Sequence, residues 1–263
     1  MTDIANQVVW ITGASSGIGE ALAVAAARRG ARLVLSARRV GELERVCRRC
    51  ATPDAVALLP LDLEQFDAGA AAAHAAGFFG PVDVLVNNAG ISQRSLVADT
   101  SMQVYRRIME LDFFAPVALT KAVLPGMLAR RRGHVVAISS VAGKVATPLR
   151  SGYAAAKFAL HGFYDALRAE VSKQGITVTV IVPGFIRTDV SINAVTGDGE
   201  RYGTMDVKQA KGMDPGVCAD RIWRAVAAEK SEAMIGGFET LAAYLKRLSP
   251  ALTERVIRNA RVT

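Results

Sequence analysis

Short runs of β-branched and aliphatic residues recur along the chain, separated by longer stretches in which apolar residues return every three to four positions. The runs at 8–11, 32–35, 56–60, 82–86, 134–139, 177–182 and 232–235 predict strands. The stretches at 17–29, 40–51, 65–79, 102–130, 153–173 and 215–229 carry the helical period. Strand–helix–strand repetition with short connections implies parallel strands joined by right-handed crossovers. The predicted fold class is therefore α/β: a doubly wound parallel sheet of about seven strands with helices on both faces. No linker or repeat divides the chain, so residues 1–263 are expected to form one domain, with ligands outside the carboxyl ends of the strands.

Two segments stand outside this alternation. Residues 183–214 lack a clear period, are rich in Gly, Asp, Asn and Thr, and follow a strand at its carboxyl end, which predicts a substrate lid. Ile192, Val195, Tyr202 and Met205, with Leu149, suggest an apolar, lipid-like substrate. Residues 239–263 form a helical tail in which Tyr244, Leu245, Leu248, Leu252 and Val256 recur at near-helical spacing. Packing on its own domain or on a neighbouring subunit is favoured there over a membrane surface.

Composition narrows the function. Hydrophobic residues make up 51% and aromatics 6%, as suits a parallel sheet covered by small-residue helices. The net charge of +8 and a pI near 9.7 admit nucleic acid, anionic membrane or a phosphorylated cofactor. No nucleic-acid motif accompanies the charge, and no nucleic-acid partner is expected. Cys47 and Cys50 form a C-x-x-C without a second pair, so no metal site is expected; the odd cysteine count agrees with a reducing, cytoplasmic location. The first apolar run, 8–11, is too short for a signal or a membrane span.

The chemistry sits at the strand ends. Gly13, Ser15, Ser16, Gly17, Ile18 and Gly19 join the first strand to the first helix, where glycines let backbone N–H groups approach a pyrophosphate. This is the Rossmann-type arrangement for a dinucleotide. Past the second strand there is no acid for the ribose hydroxyl of NAD; Arg38 stands there instead, matched to the 2′-phosphate of NADP, with Ser15 adding a hydroxyl. NADP(H) is therefore favoured over NAD(H). Asp62 and Leu63 follow the third strand; Asp62 either meets the adenine amino group, caps a helix near Glu64, or does both. Asn88, Ala89 and Gly90 would line the adenine ribose, while Pro183, Gly184, Ile186 and Thr188 would pin the nicotinamide.

Ser140 ends the fifth strand, and Tyr153 and Lys157 lie four apart on one helical face. A nearby ammonium favours phenolate, which suits Tyr153 to acid–base work, and Ser140 could donate to a developing oxyanion.

In this order the motifs resemble the compact form of the short-chain dehydrogenase/reductase family, over 8–236, and look closest to its member 7 and 7B group. That closer likeness is carried by Asn88-Ala89-Gly90-Ile91-Ser92-Gln93-Arg94-Ser95, the stretch 110–121 and Arg201-Tyr202-Gly203-Thr204-Met205-Asp206. The resemblance implies Tyr153 as proton donor and acceptor, Lys157 as its electrostatic partner and Ser140 as the carbonyl-orienting hydroxyl. It also implies a homodimer or homotetramer paired through the helices 102–130 and 153–173. The family usually has Asn where this chain has Asp112, on the path that links the lysine to solvent. Aspartate keeps the shape but loses the amide donor and adds a charge. The function expected is NADP(H)-dependent interconversion of a ketone or aldehyde with an alcohol; the alternative is a non-catalytic NADP(H)-binding sensor or scaffold.

Overall fold

The computed structural model describes residues 3–258; the end of the predicted tail, 259–263, lies outside the described residues. Seven strands form one parallel sheet: β1 (Val8–Thr12), β2 (Arg32–Ser36), β3 (Val56–Leu58), β4 (Val84–Asn87), β5 (Gly133–Ile138), β6 (Ile176–Pro183) and β7 (Glu232–Ile235). Their order is β3-β2-β1-β4-β5-β6-β7. The order reverses between β1 and β4, and a doubly wound sheet opens a crevice at such a point.

Alternation along each strand feeds two cores. Val9 and Ile11 of β1 pack on one face, against α1 (Gly17–Ala27), α2 (Val40–Arg49) and α8 (Pro215–Ala227). Val8 and Trp10 pack on the other, against α3 (Ala68–Phe79), α5 (Ala115–Arg130) and α6 (Ser151–Glu170). Each fully buried Val, Leu or Ile contributes roughly 1.5–3 kcal/mol relative to exposure. The polar edge of Trp10 is satisfied, since Nε1 donates to Ser36 Oγ at 2.9 Å.

Two helices depart from the sequence reading. The α3 helix starts at Ala68 because Asp67 caps it, accepting from the Ala70 N–H at 2.8 Å. Asp62 is therefore not a helix cap; its Oδ1 accepts from the Glu64 N–H at 3.1 Å in a turn. The stretch expected as one regular helix divides into α4 (Met102–Met109), a π-helical turn (Glu110–Phe114) and α5. Pro116 explains the widening. It has no N–H for the Asp112 carbonyl, and its ring would crowd that carbonyl in a regular helix. The Ala115 N–H reaches back to the Glu110 carbonyl instead, and the wider turn buries both Leu111 and Asp112. By length and composition Met102–Arg130 could cross a membrane, yet Leu119, Val123 and Met127 pack into the core.

The predicted lid contains one short helix, α7 (Val207–Ala210), and is tied down by bridges from Val195 to Gln93 and to Arg201. The described part of the tail folds as α9 (Leu241–Leu248) and α10 (Pro250–Arg258), which pack on each other.

Candidate active site

A cavity of about 840 Å³ opens over the carboxyl ends of the strands, within the range of cofactor and small-molecule sites. The glycine loop forms one end. Gly13 and Gly17 adopt φ of +64° and +59°, which favours glycine. A Cβ on Gly13 would stand 2.8 Å from Ala89 Cα, and one on Gly19 would stand 2.3 Å from the Gly13 carbonyl oxygen. Thr12 and Asn88 lock this contact. The N–H groups of Asn88 and Ala89 donate to Thr12 Oγ1 at 3.1 and 3.2 Å, and Asn88 Nδ2 donates to the Thr12 carbonyl at 2.9 Å.

Of the predicted cofactor residues, Gly13, Ser15, Ser16, Gly17, Ile18, Arg38, Asp62, Leu63, Asn88, Ala89, Gly90, Pro183, Gly184 and Thr188 line this cavity. Gly19 and Ile186 stand behind its wall. Gly19 permits close packing of loop on helix, while the Ile186 side chain is buried in the core and its carbonyl accepts from Gln209 Nε2. Arg38 is paired with Glu64 at 3.3 Å and remains 55% exposed. Sequence reasoning passed over its neighbour: Arg39 Nη2 donates to Ser15 Oγ at 3.3 Å, so both arginines and the serine meet at one corner.

At the other end, Ser140, Tyr153, Lys157 and Asp112 line the cavity together. Ser140 lies two residues past the end of β5, where its side chain caps a short turn by accepting from the Ala142 N–H at 3.1 Å, leaving its hydroxyl proton free to be donated. Lys157 Nζ lies 5.6 Å from the centroid of the Tyr153 ring, donates to the Ile138 carbonyl at 3.2 Å and stands 3.1 Å from Asp112 Oδ2. Asp112 Oδ1 accepts from the Ile91 N–H at 2.8 Å. Gly90 makes room for this carboxylate, since a Cβ there would fall 2.8 Å from Asp112 Oδ2. Burial pushes the Asp112 carboxyl up, with Lys157 and the Ile91 N–H opposing. Burial works against the Lys157 ammonium, but Asp112 and Tyr153 outweigh it and hold the amine above the ordinary lysine range.

Other side chains here carried no role in the sequence reading. Arg94 and Asp206 are both buried, with Arg94 Nε donating to Asp206 Oδ2 at 3.1 Å; Arg150 Nη2 donates to the same oxygen at 3.1 Å. This cluster fastens the segment 183–214 to the start of α6. Gln93, fully buried, reaches the same helix. Both lie in stretches whose likeness to a family was visible, but their partners were not. Of the expected apolar lid residues only Val195 lines the cavity; Ile192, Tyr202, Met205 and Leu149 do not. Leu149 instead takes φ of +65°, turning the chain into α6. The apolar lining comes from Val145, Val190 and, through the tail, Ala242, Val256 and Ile257. Burial pushes the Cys47 and Cys50 thiols up, Cys50 to about 11, which makes them poor nucleophiles.

This is the strand order and site of a nucleotide-dependent oxidoreductase, and residues 7–198 match the short chain dehydrogenase family. The chain belongs to that family. Dehydrogenase/reductase SDR family member 7B of Bos taurus is 46% identical, the match covering 97% of this chain and 81% of that protein. Dehydrogenase/reductase SDR family protein 7-like of Drosophila melanogaster is 42% identical, over 94% and 78%. Among solved structures, a short-chain dehydrogenase from Streptomyces avermitilis superposes with a TM-score of 0.83 at 33% identity, covering 99% of this chain and all of that one. A metagenomic short-chain oxidoreductase in complex with NADP gives 0.72 at 28% identity, over 89% and 98%. As a short-chain dehydrogenase the protein is an oxidoreductase with a nicotinamide cofactor, and the glycine cradle and cavity volume fit such a dinucleotide.

Proposed function

We propose that the protein interconverts a carbonyl compound and an alcohol with NADP(H), using Tyr153 as the acid and base. The observation that carries this reading is the Lys157 ammonium held beneath the Tyr153 ring, beside Ser140 and inside one cavity. When bound, the nicotinamide supplies or accepts the hydride. In reduction the Tyr153 hydroxyl gives its proton to the carbonyl oxygen, and the Lys157 ammonium favours the phenolate left behind. Ser140, its oxygen already occupied by the Ala142 N–H, donates its own proton toward the substrate oxygen without losing it. Oxidation runs the same transfers backwards. Asp112 steadies the ammonium but sets a negative charge against its pull on the phenol.

Arg38, Arg39 and the Ser15 hydroxyl support NADP(H) over NAD(H), because a guanidinium matches a phosphate and no carboxylate follows β2 to hold a ribose hydroxyl. Val145, Val190, Val256 and Ile257 support an apolar substrate. We place the enzyme in the cytoplasm as a homo-oligomer paired through α4, α5 and α6, on which Met102 and Phe158 are exposed; size-exclusion chromatography reads the assembly.

Fluorescence titration with NADPH and NADH tests the cofactor. NADPH should bind more tightly than NADH, and Arg38→Ala should weaken NADPH about tenfold, the loss of one charged phosphate contact. Equal binding of the two cofactors would sink the preference. Tyr153→Phe should retain NADPH binding and lower turnover about 10³-fold; unchanged turnover would remove Tyr153 from the chemistry.

A further inference from the structure

The helix that carries Tyr153 begins without a cap of its own. An α-helix leaves its first N–H groups without partners inside the helix. The residue at the cap position of α6 is Arg150, whose side chain accepts nothing and whose charge opposes the positive end of the helix dipole. The acceptor arrives from a distant segment. Gln93, in the loop after β4, accepts with Oε1 from the Gly152 N–H at 2.7 Å and from the Tyr153 N–H at 3.4 Å.

The surroundings fix the orientation of this amide. Gln93 Nε2 faces the hydroxyls of Ser95 and Thr100, each at 3.0 Å, and of Ser151 at 3.5 Å. Turning the amide over would point its two protons at the two helix donors, so only one orientation satisfies every group. Ser151 also bonds the Tyr105 hydroxyl of α4 at 2.8 Å. Gly152 leaves the required space, because a Cβ there would stand 2.9 Å from Tyr105 Cδ1 and 3.1 Å from Gln93 Oε1. The Gln93 backbone lies opposite Val195 in the lid. Lid, α4 and α6 therefore meet at one buried side chain.

We propose that Gln93 is a positioning residue for Tyr153, a detached cap that sets both the place and the electrostatic surroundings of the phenol; this rests on the reading of Tyr153 as acid and base. Its carbonyl oxygen presents only a partial negative charge to the Tyr153 backbone. A carboxylate of the same shape keeps the acceptor, draws the three hydroxyls round as donors and opposes phenolate formation.

The test uses the full chain with NADP⁺ bound and needs no substrate. Near-ultraviolet tyrosinate absorbance is followed against pH, and the signal of the matching Tyr153→Phe protein is subtracted to isolate Tyr153. Gln93→Glu should move the ionisation midpoint upward by about 0.5 pH unit while NADP⁺ affinity stays within about twofold. Gln93→Ala should speed amide exchange in the first turn of α6 about tenfold, the loss of one buried hydrogen bond. Coincident midpoints for the parent and Gln93→Glu would overturn the proposal, as would unchanged exchange in Gln93→Ala. Loss of NADP⁺ binding in Gln93→Glu would overturn it too, marking Gln93 as a general support of the fold. The underlying reading fails by a different sign, retained turnover in Tyr153→Phe.

Discussion

At the cofactor end of the cavity the chain is shaped mainly by backbone: glycines at positive φ, a threonine hydroxyl between two strand ends, and an exposed Arg38–Glu64 pair at the rim. At the substrate end the work falls to buried side-chain charges, Lys157 with Asp112 and Arg94 with Asp206. The same kind of contact has different weight in the two places. An exposed ion pair is screened by water and contributes little, whereas removing one partner of a buried pair strands a charge in low dielectric. Binding strength at the rim and stability at the floor should therefore respond separately to mutation.

The largest expected effect that would test this contrast is at Asp206. Asp206→Ala leaves Arg94 buried without its carboxylate and should lower stability by about 3–5 kcal/mol, read as the urea midpoint, with earlier proteolysis within 183–214. A change below about 1 kcal/mol would mean that water reaches this cluster and that the two ends do not differ as described.

Asp112→Asn is expected to act on chemistry more than on the fold. Asp112 and Tyr153 together hold Lys157 above its ordinary range against burial. Without the Asp112 charge, the ammonium acts on Tyr153 unopposed. Phenolate then forms more readily, and the acid limb of the proposed alcohol oxidation should move down by about one pH unit in a pH–rate profile. An upward move would show that the carboxylate assists the ammonium instead of opposing it. The smallest effect is expected at the rim, where Arg38→Ala should change stability by no more than about 0.5 kcal/mol in the same urea experiment, whatever it does to NADPH affinity.

The two ends also differed in how readily they could be read from the sequence. The glycine loop, Asn88 and the Tyr153–Lys157 spacing were legible because each is local, a few neighbouring residues whose geometry follows from the element they sit on. Pro116 was a local signal as well. A proline four residues after Asp112 forbids a regular helical bond at that carbonyl, so the π-helical turn could have been foreseen. The Arg94–Asp206 and Gln93–Gly152 contacts span 112 and 59 positions, and no periodicity encodes which distant polar group will satisfy a buried one. The lid misled for a related reason. Hydrophobicity identified Ile192, Tyr202 and Met205 as apolar, but not the side of the loop on which they would stand.

The lining of the cavity by Val256 and Ile257 of α10 has a practical consequence for anyone handling this protein. Part of the cavity wall is built from α10, so a bulky label or a protease cut within 250–258 would alter the doorway of the chamber. Kinetic constants gathered on protein altered there would report the damage to the wall together with the enzyme.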